Sequence, residues 1–188
     1  MDFAGVRPEP GDRAPAPGPL RLVQRFVNTV DLEDGPDDLA TPDRLREWLA
    51  AAELLAPGAA VSRADHTRAL ALREAIRDLI GAPEEGRAAD VVNEAAIRAD
   101  LRPVLSRAES RLEPAAIGVD AALGGIVAAI HAAVAEGTWP RLKTCDRHAC
   151  RWAFFDRSKN QSSHWCSTAG CGSREKNRRA YRRRRARV

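Results

Sequence analysis

CDRHACRWAFFDRSKNQSSHWCSTAGC, residues 145–171, holds all four cysteines of the 188-residue chain, Cys145, Cys150, Cys166 and Cys171. They form two Cys-x4-Cys pairs, and the fifteen residues between the pairs leave room for two short strands that return the second pair to the first. Four thiolates at about 2.3 Å from one Zn²⁺ make a closed tetrahedral site, which has no open position for a catalytic water. The spacing therefore predicts one structural zinc ion.

Two other interpretations of the cysteines are weaker. The first twenty residues lack the apolar segment of a secretory signal, so we expect a cytoplasmic protein, in which disulfides are rare. Either His148 or His164 could replace a neighbouring cysteine as a ligand, but four thiolates already complete the set. Nearby, Trp152 and Phe154 alternate along a predicted strand, which favours a small apolar core around the zinc over stacking of one ring on a base.

A strongly basic segment follows the last cysteine and is predicted to be a helix, with Ser173 as its N-cap and Glu175 in its first turn. Guanidinium groups match phosphate oxygens and guanine edges, so this helix predicts nucleic-acid binding rather than a solvated tail. The residues that we expect to contact nucleic acid are Arg174, Lys176, Arg178, Arg179, Arg182, Arg183, Arg184 and Arg185.

Charge divides the chain near Pro140. Residues 1–140 contain 15 basic and 23 acidic side chains, a net charge of −8, whereas residues 141–188 contain 15 basic and 3 acidic ones, a net charge of +12. Such a division is typical of a soluble body joined to a polyanion-binding tail. The most apolar stretch, residues 115–135, is interrupted by Asp120 and His131, so we expect a buried helix and no membrane span.

The pattern of apolar residues predicts three parts and a mainly α fold. Residues 1–19, with five prolines, are predicted to be a flexible leader; residues 20–140 a helical domain; and residues 141–188 a finger of zinc-ribbon or treble-clef-like type with a C-terminal basic helix. Helix starts are predicted near Leu20, Thr41, Ser62, Ala88 and Val119, and the segment 102–118 is ambiguous, with a short hairpin as one interpretation. Asn28 and Thr29 interrupt the first helix, so they either line a ligand pocket or end the helix.

Two stretches of the sequence carry a resemblance to known families. CDRHACRWAFFDRSKNQSSHWCSTAGCGSREKNRRAYRRRR resembles the CGNR zinc finger, and RFVNTVDL, TPDRLREWLAAAELL and ALALREAIRDLI resemble its companion, the ABATE domain. The resemblance implies a bacterial, mostly helical, zinc-binding protein from a family of proposed stress-related transcription regulators. It places the zinc ligands on Cys145, Cys150, Cys166 and Cys171 and the motif arginine on Arg174, with Ser173 in the position of the family's asparagine.

The sequence therefore predicts a zinc-dependent transcription regulator that binds DNA through the finger and the basic helix. The helical domain would sense a small-molecule effector or mediate homodimerisation. Two alternatives remain open: an RNA- or ribosome-binding zinc protein, and a small-molecule or protein-interaction module that the finger anchors. No phosphate-binding loop, nucleophile elbow or His-Glu-x-x-His pattern is present, so we do not expect an enzyme.

Overall fold

The computed structural model describes residues 10–11, 13–33, 35–81 and 86–185, and the chain is mainly α-helical. The helices are α1 Leu20–Val27, α2 Pro42–Ala51, α3 Arg63–Gly81, α4 Arg87–Arg98, α5 Gly118–Ala135 and α6 Ser173–Arg185. Two antiparallel hairpins complete the fold, β1 Leu101–Leu105 with β2 Ser110–Pro114, and β3 Leu142–Thr144 with β4 Ala153–Phe155. The ambiguous segment 102–118 thus contains a hairpin.

Local sequence signals place the helix starts. Thr41 caps α2 by accepting a hydrogen bond from the Arg44 backbone N–H at 3.2 Å, and Pro42 occupies the first helical position. Ser62 and Asp65 form a reciprocal capping box ahead of α3, in which the Asp65 N–H donates to Ser62 Oγ and the Ser62 N–H donates to the Asp65 carboxylate. Both predicted starts are confirmed.

Helix α5 lies at the centre of the helical part. It packs against α1, α3, α4 and β2, and nine of its eighteen residues are buried. Gly124 permits the close approach of the turn after α4, because a Cβ atom there would lie 2.2 Å from the Ala99 side chain. Among the described residues, α5 is the one helix with the length and apolarity of a membrane span. Its burial by the rest of the chain places it as a core helix, as we predicted.

Part of the predicted leader contacts the rest of the chain, since Arg13 and Pro15 bond to the finger and Ala16 bonds to α1. The guanidinium of Arg13 lies 4.4 Å from the centre of the Phe154 ring and donates hydrogen bonds to the backbone carbonyls of Trp165 and Cys166, both at 2.7 Å. Ala16 is buried, and its N–H donates to the Gln24 side chain at 2.7 Å. The partners of Arg13 lie far away in sequence, so the proline-rich composition does not reveal them. Residues 1–9 and 12 of the predicted leader lie outside the described residues.

The helical part and the finger share one apolar core. Leu142, Ala153 and Phe155 of the second hairpin are buried together with the core side chains of α1, α3 and α5. Polar bonds cross the same boundary: Arg77 on α3 donates to the Arg151 carbonyl at 3.2 Å and to the Val27 carbonyl at 2.6 Å. One face of the second hairpin, which lies beyond the charge boundary near Pro140, is therefore buried in the core of the helical part.

Candidate metal centre and basic helix

The four cysteines converge on one point. Their sulfur atoms all lie within 4.8 Å of one another, with Sγ–Sγ distances of 3.7 Å for Cys150–Cys166 and 3.6 Å for Cys166–Cys171. Sulfurs at the corners of a tetrahedron with metal bonds of about 2.3 Å stand roughly 3.8 Å apart, whereas a disulfide needs about 2.05 Å. All four thiols are free and buried. The donor set therefore fits one structural Zn²⁺.

Each pair of cysteines is positioned by a different piece of backbone. Cys145 directly follows β3 and donates its N–H to the Trp152 carbonyl at 2.9 Å, while Cys150 donates to the Arg147 carbonyl at 2.8 Å. The turn between them closes with Arg151 at a positive φ of 47°. The strands β3 and β4 thus flank the first pair. The fifteen residues between the pairs leave room for two short strands, but they contain one, β4.

The second pair enters the basic helix through a wide π-helical turn, Thr168–Gly172, which carries Cys171. Ser167 caps this turn by accepting the Gly170 N–H at 3.0 Å, so the predicted N-cap at Ser173 is wrong and Ser173 is already inside the helix. A Cβ atom on Gly172 would lie 2.9 Å from the Trp165 ring, so glycine is needed where the indole packs against the turn. This turn joins α6 directly to the ligand sphere.

Apolar side chains enclose the thiols in the predicted way. Trp152 and Phe154 are buried against the cysteines, with Trp165 partly buried beside them. Phe155 points the other way, into the main core. The alternation along β4 therefore gives one strand two apolar faces, one towards the metal centre and one towards the helices.

Electrostatics of the thiol cluster favour a divalent cation. The pKa of Cys150 is raised to about 12, first by the adjacent Cys145, and the pKa of Cys166 is raised strongly by Cys145 and Cys150. The pKa of Cys145 is lowered, because Cys150 and Cys166 donate hydrogen bonds to its thiolate. One negative charge thus blocks the ionisation of its neighbours, and a bound Zn²⁺ supplies the charge that four thiolates require.

Asp156, which the sequence analysis did not single out, organises the loop between the pairs. Its carboxylate is fully buried and accepts hydrogen bonds from Lys143 Nζ at 2.8 Å and from the N–H groups of Ser158 and Ser163 at 2.9 and 3.0 Å. Burial raises its pKa, but the hydrogen bonds from Lys143 and Ser158 outweigh that effect and hold the pKa well below its usual range. An Asp two residues before a Ser, within a polar run, was the available signal.

An acidic residue of the helical part contacts the arginines of the finger. Glu33 lies in the loop after α1, forms an ion pair with Arg147, and accepts hydrogen bonds from Arg174 at 3.1 Å to both carboxylate oxygens. The pKa of Glu33 is lowered, first by the hydrogen bond from Arg147, and that of Arg147 is raised by the same bond. Interaction with Cys171 also raises the pKa of Arg147. The motif arginine, Arg174, is thus already engaged by a carboxylate.

The basic side chains of α6 fall into two groups. Arg178 and Arg179 pair with the buried Glu175, at 2.9 and 3.3 Å, and Arg174 pairs with Glu33. Within the part of the chain that the structure describes, no acidic side chain pairs with Lys176, Arg182, Arg183, Arg184 or Arg185, all of which are exposed. Arg185 lies 5.9 Å from the ring centre of the exposed Tyr181. The unpaired cations are therefore concentrated in the last turn.

The two residues predicted as pocket-lining, Asn28 and Thr29, are buried and fully engaged by protein groups. The Asn28 amide donates to the Ala153 carbonyl and accepts from the Ala153 N–H, both at 2.8 Å. Thr29 Oγ1 donates to the Phe26 carbonyl at 2.8 Å and accepts from Arg73 at 3.1 Å. Their positions fit the helix-ending alternative, and Asn28 also pairs with the edge of β4.

The two histidines near the cysteines are not part of the sulfur cluster. His164 Nδ1 lies 2.9 Å from the Asp146 carboxylate at the surface, and His148 is exposed. Neither residue belongs to the group of convergent ligand atoms, which consists of the four cysteines. The alternative of a histidine ligand is therefore not supported by the geometry.

This arrangement defines a mainly helical protein with a four-cysteine zinc finger. Comparison with protein families matches residues 141–185 to the CGNR zinc finger and residues 20–143 to the ABATE domain, described as "Putative stress-induced transcription regulator". Because the second match covers more than half of the chain, the protein belongs to the ABATE family. No curated protein matches the chain.

Proposed function

We propose that this protein is a bacterial, cytoplasmic transcription regulator that binds duplex DNA through the finger and α6, and that it is not an enzyme. The observation that carries the proposal is the cluster of exposed arginines at the end of α6, a helix that starts at the metal centre. None of the acidic side chains that the structure describes pairs with these arginines. Thirteen residues give a helix about 20 Å long, enough to lie along a groove and reach several phosphates. A zinc ion held by four thiolates has a structural role and leaves no site for hydrolysis.

The helical part would control this binding. Glu33 occupies Arg147 and Arg174, so a phosphate that approaches these guanidinium groups competes with a carboxylate already in place. Displacing Glu33 would release two cations on the face of the finger where α6 begins. The acidic helical part, with its net charge of −8 over residues 1–140, repels DNA elsewhere and so orients the finger towards it.

Salt dependence of DNA binding tests the proposal. Fluorescence anisotropy with a labelled duplex gives the slope of the logarithm of the binding constant against the logarithm of the salt concentration. The magnitude of this slope decreases by about 0.9 for each phosphate contact that a variant loses. Replacing Arg182, Arg183 and Arg184 by Gln should weaken binding and reduce the slope by up to about 2.7. The matched control replaces three exposed arginines of the helical part, Arg44, Arg98 and Arg102, by Gln.

Equal effects of the two triple variants would contradict a role for α6, because both remove the same net charge. Competition with a structured RNA of equal length decides between the two nucleic acids. Preference for the RNA would replace the proposed function with the RNA-binding alternative, which the arginine-rich helix also suits.

A further inference from the structure

A short segment from the start of the chain, residues 13–16, lies against the loop that carries the second pair of metal ligands. Arg13 donates from Nε to the Cys166 carbonyl and from Nη2 to the Trp165 carbonyl, both at 2.7 Å. One planar guanidinium therefore holds two successive backbone carbonyls, the second of which belongs to a zinc ligand. We call residues 13–16 the N-terminal clamp.

The clamp is fixed to both parts of the molecule. The Pro15 carbonyl accepts a hydrogen bond from Arg157 of the finger at 3.0 Å. The next residue, Ala16, is buried, and its N–H donates to Gln24 on α1 at 2.7 Å. Arg13 is therefore presented to the finger from a segment whose backbone is held in place.

The position of Cys166 depends on such support from outside its own loop. Residues 161–167 contain neither helix nor strand, whereas Cys145 directly follows β3 and Cys171 lies in the π-helical turn. The Cys166 sulfur nevertheless lies 3.7 Å from that of Cys150 and 3.6 Å from that of Cys171, as one shared ion requires. Bonds from the outer shell of a metal site orient its ligands, and Arg13 supplies two of them to this loop.

Arg13 also covers the apolar side of the metal centre. Its guanidinium lies 4.4 Å from the centre of the Phe154 ring, which is fully buried in the cluster with the four cysteines. A guanidinium can stack on a ring and donate in two directions at once, which an ammonium group cannot do. Because a zinc ion held by four thiolates carries a net negative charge, a cation at this place is also electrostatically favourable.

We infer that Arg13 is a positioning residue of the metal centre, and that the N-terminal clamp slows the loss of zinc by fixing Cys166 in its ligand position. The inference is independent of nucleic-acid binding. Arg13 precedes Cys166 by 153 residues, so the group that holds this ligand lies outside the contiguous finger. Retention of the metal at the end of the chain thus depends on a segment from its beginning.

The test measures zinc transfer from the full-length, zinc-loaded protein to an excess of a chromophoric chelator. Arg13→Gln should raise the rate constant of transfer tenfold or more, since outer-shell partners typically contribute about 10–100-fold to metal affinity. Arg13→Lys keeps the charge but has one donor nitrogen and no planar group, so it should release zinc at least fivefold faster than the parent protein. The control Arg21→Gln removes an exposed guanidinium near the same end of the chain and should stay within twofold of the parent.

A second control and a spectrum separate positioning from a general loss of stability. Ile126→Val weakens the core of the helical part at a fully buried site, and its zinc should leave within twofold of the parent rate. With Co²⁺ in place of zinc, the visible absorption bands should change in Arg13→Gln but not in Ile126→Val. Loss of zinc from Arg13→Gln during purification, with helical circular dichroism retained and Ile126→Val fully loaded, would support the inference in the same way.

Four results would overturn the inference. These are a rise of less than tenfold in Arg13→Gln, a parent-like rate in Arg13→Lys, release from Ile126→Val as fast as from Arg13→Gln, and a cobalt spectrum of Arg13→Gln identical to that of the parent protein.

Discussion

Asn28→Ala should weaken the attachment of the finger to the helical part, because the Asn28 side chain makes a pair of buried hydrogen bonds across their boundary. Its amide makes the two contacts that a neighbouring strand would make with Ala153, each at 2.8 Å. Truncation leaves the Ala153 N–H without an acceptor in a fully buried place, at a cost of about 1–3 kcal/mol. The Ala153 carbonyl keeps one longer bond, from Gln24 at 3.3 Å, so the cost there is smaller, about 1 kcal/mol.

The sum predicts a loss of about 2–4 kcal/mol in the free energy of unfolding, which lowers Tm by roughly 4–16 °C for a chain of this size. Urea unfolding, followed by both far-ultraviolet circular dichroism and tryptophan fluorescence, measures the change. With Trp48 and Trp139 replaced by Phe in all the proteins compared, Trp152 and Trp165 report on the finger, and the helical signal arises mainly from residues 20–135. In the variant the fluorescence transition should precede the helical one.

The control is Asn93→Ala, which makes the same truncation at an exposed position of α4. It should change the unfolding free energy by less than about 0.5 kcal/mol. Equal stability of Asn28→Ala and Asn93→Ala would contradict a role of these hydrogen bonds. The same conclusion would follow if the fluorescence and helical transitions of Asn28→Ala coincided with each other.

Three further predictions concern the metal centre and the charges around it. Purified protein should contain one zinc per chain, and a chelator should make four thiols reactive and change tryptophan fluorescence; an unchanged spectrum after metal removal would contradict a structural role. Glu33→Gln should tighten DNA binding several-fold and steepen its salt slope by up to about 1.8, since two arginines are freed. The control Glu47→Gln makes the same change in net charge, but it should have a smaller effect on affinity and leave the slope unchanged. Asp156→Asn should lower the free energy of unfolding at pH 7. Because the pKa of Asp156 is lower in the folded than in the unfolded state, this loss of stability should persist above pH 4 and shrink as the pH falls below about 4. Urea titrations at several pH values measure it.

The sequence predicts those features that depend on neighbours along the chain. Capping residues at Thr41 and Ser62 mark α2 and α3, and the spacing of the cysteines predicts a shared ion, because each signal needs only a few adjacent residues. The start of α6 is predicted to within one residue, but the wide π-helical turn ahead of it is not, since that turn is set by the position of the Cys171 sulfur relative to the other three. Serine is a common N-cap residue, but the cap is Ser167, and Ser173 comes after the π-helical turn that Ser167 caps.

Contacts between distant segments are not predictable from the sequence in this way. Asn28 and Ala153 are 125 residues apart, and Glu33 and Arg174 are 141 apart. In each case the partner is selected by how the helical part packs on β4, and many other polar residues have the same local pattern. Arg13, in a proline-rich stretch, finds its place over Phe154 for the same reason.

The two-faced strand β4 has a practical consequence for anyone who wishes to handle the finger as a separate fragment. A peptide that begins at residue 141 would keep its metal ligands but would expose Phe155 and the backbone of Ala153. In the intact chain, Phe155 is covered by the core of the helices and the Ala153 backbone by Asn28. Such a fragment would tend to self-associate through these exposed groups. Fusing this finger to another protein should therefore succeed only if that protein also provides an apolar surface to cover Phe155 and an amide side chain in the position of Asn28.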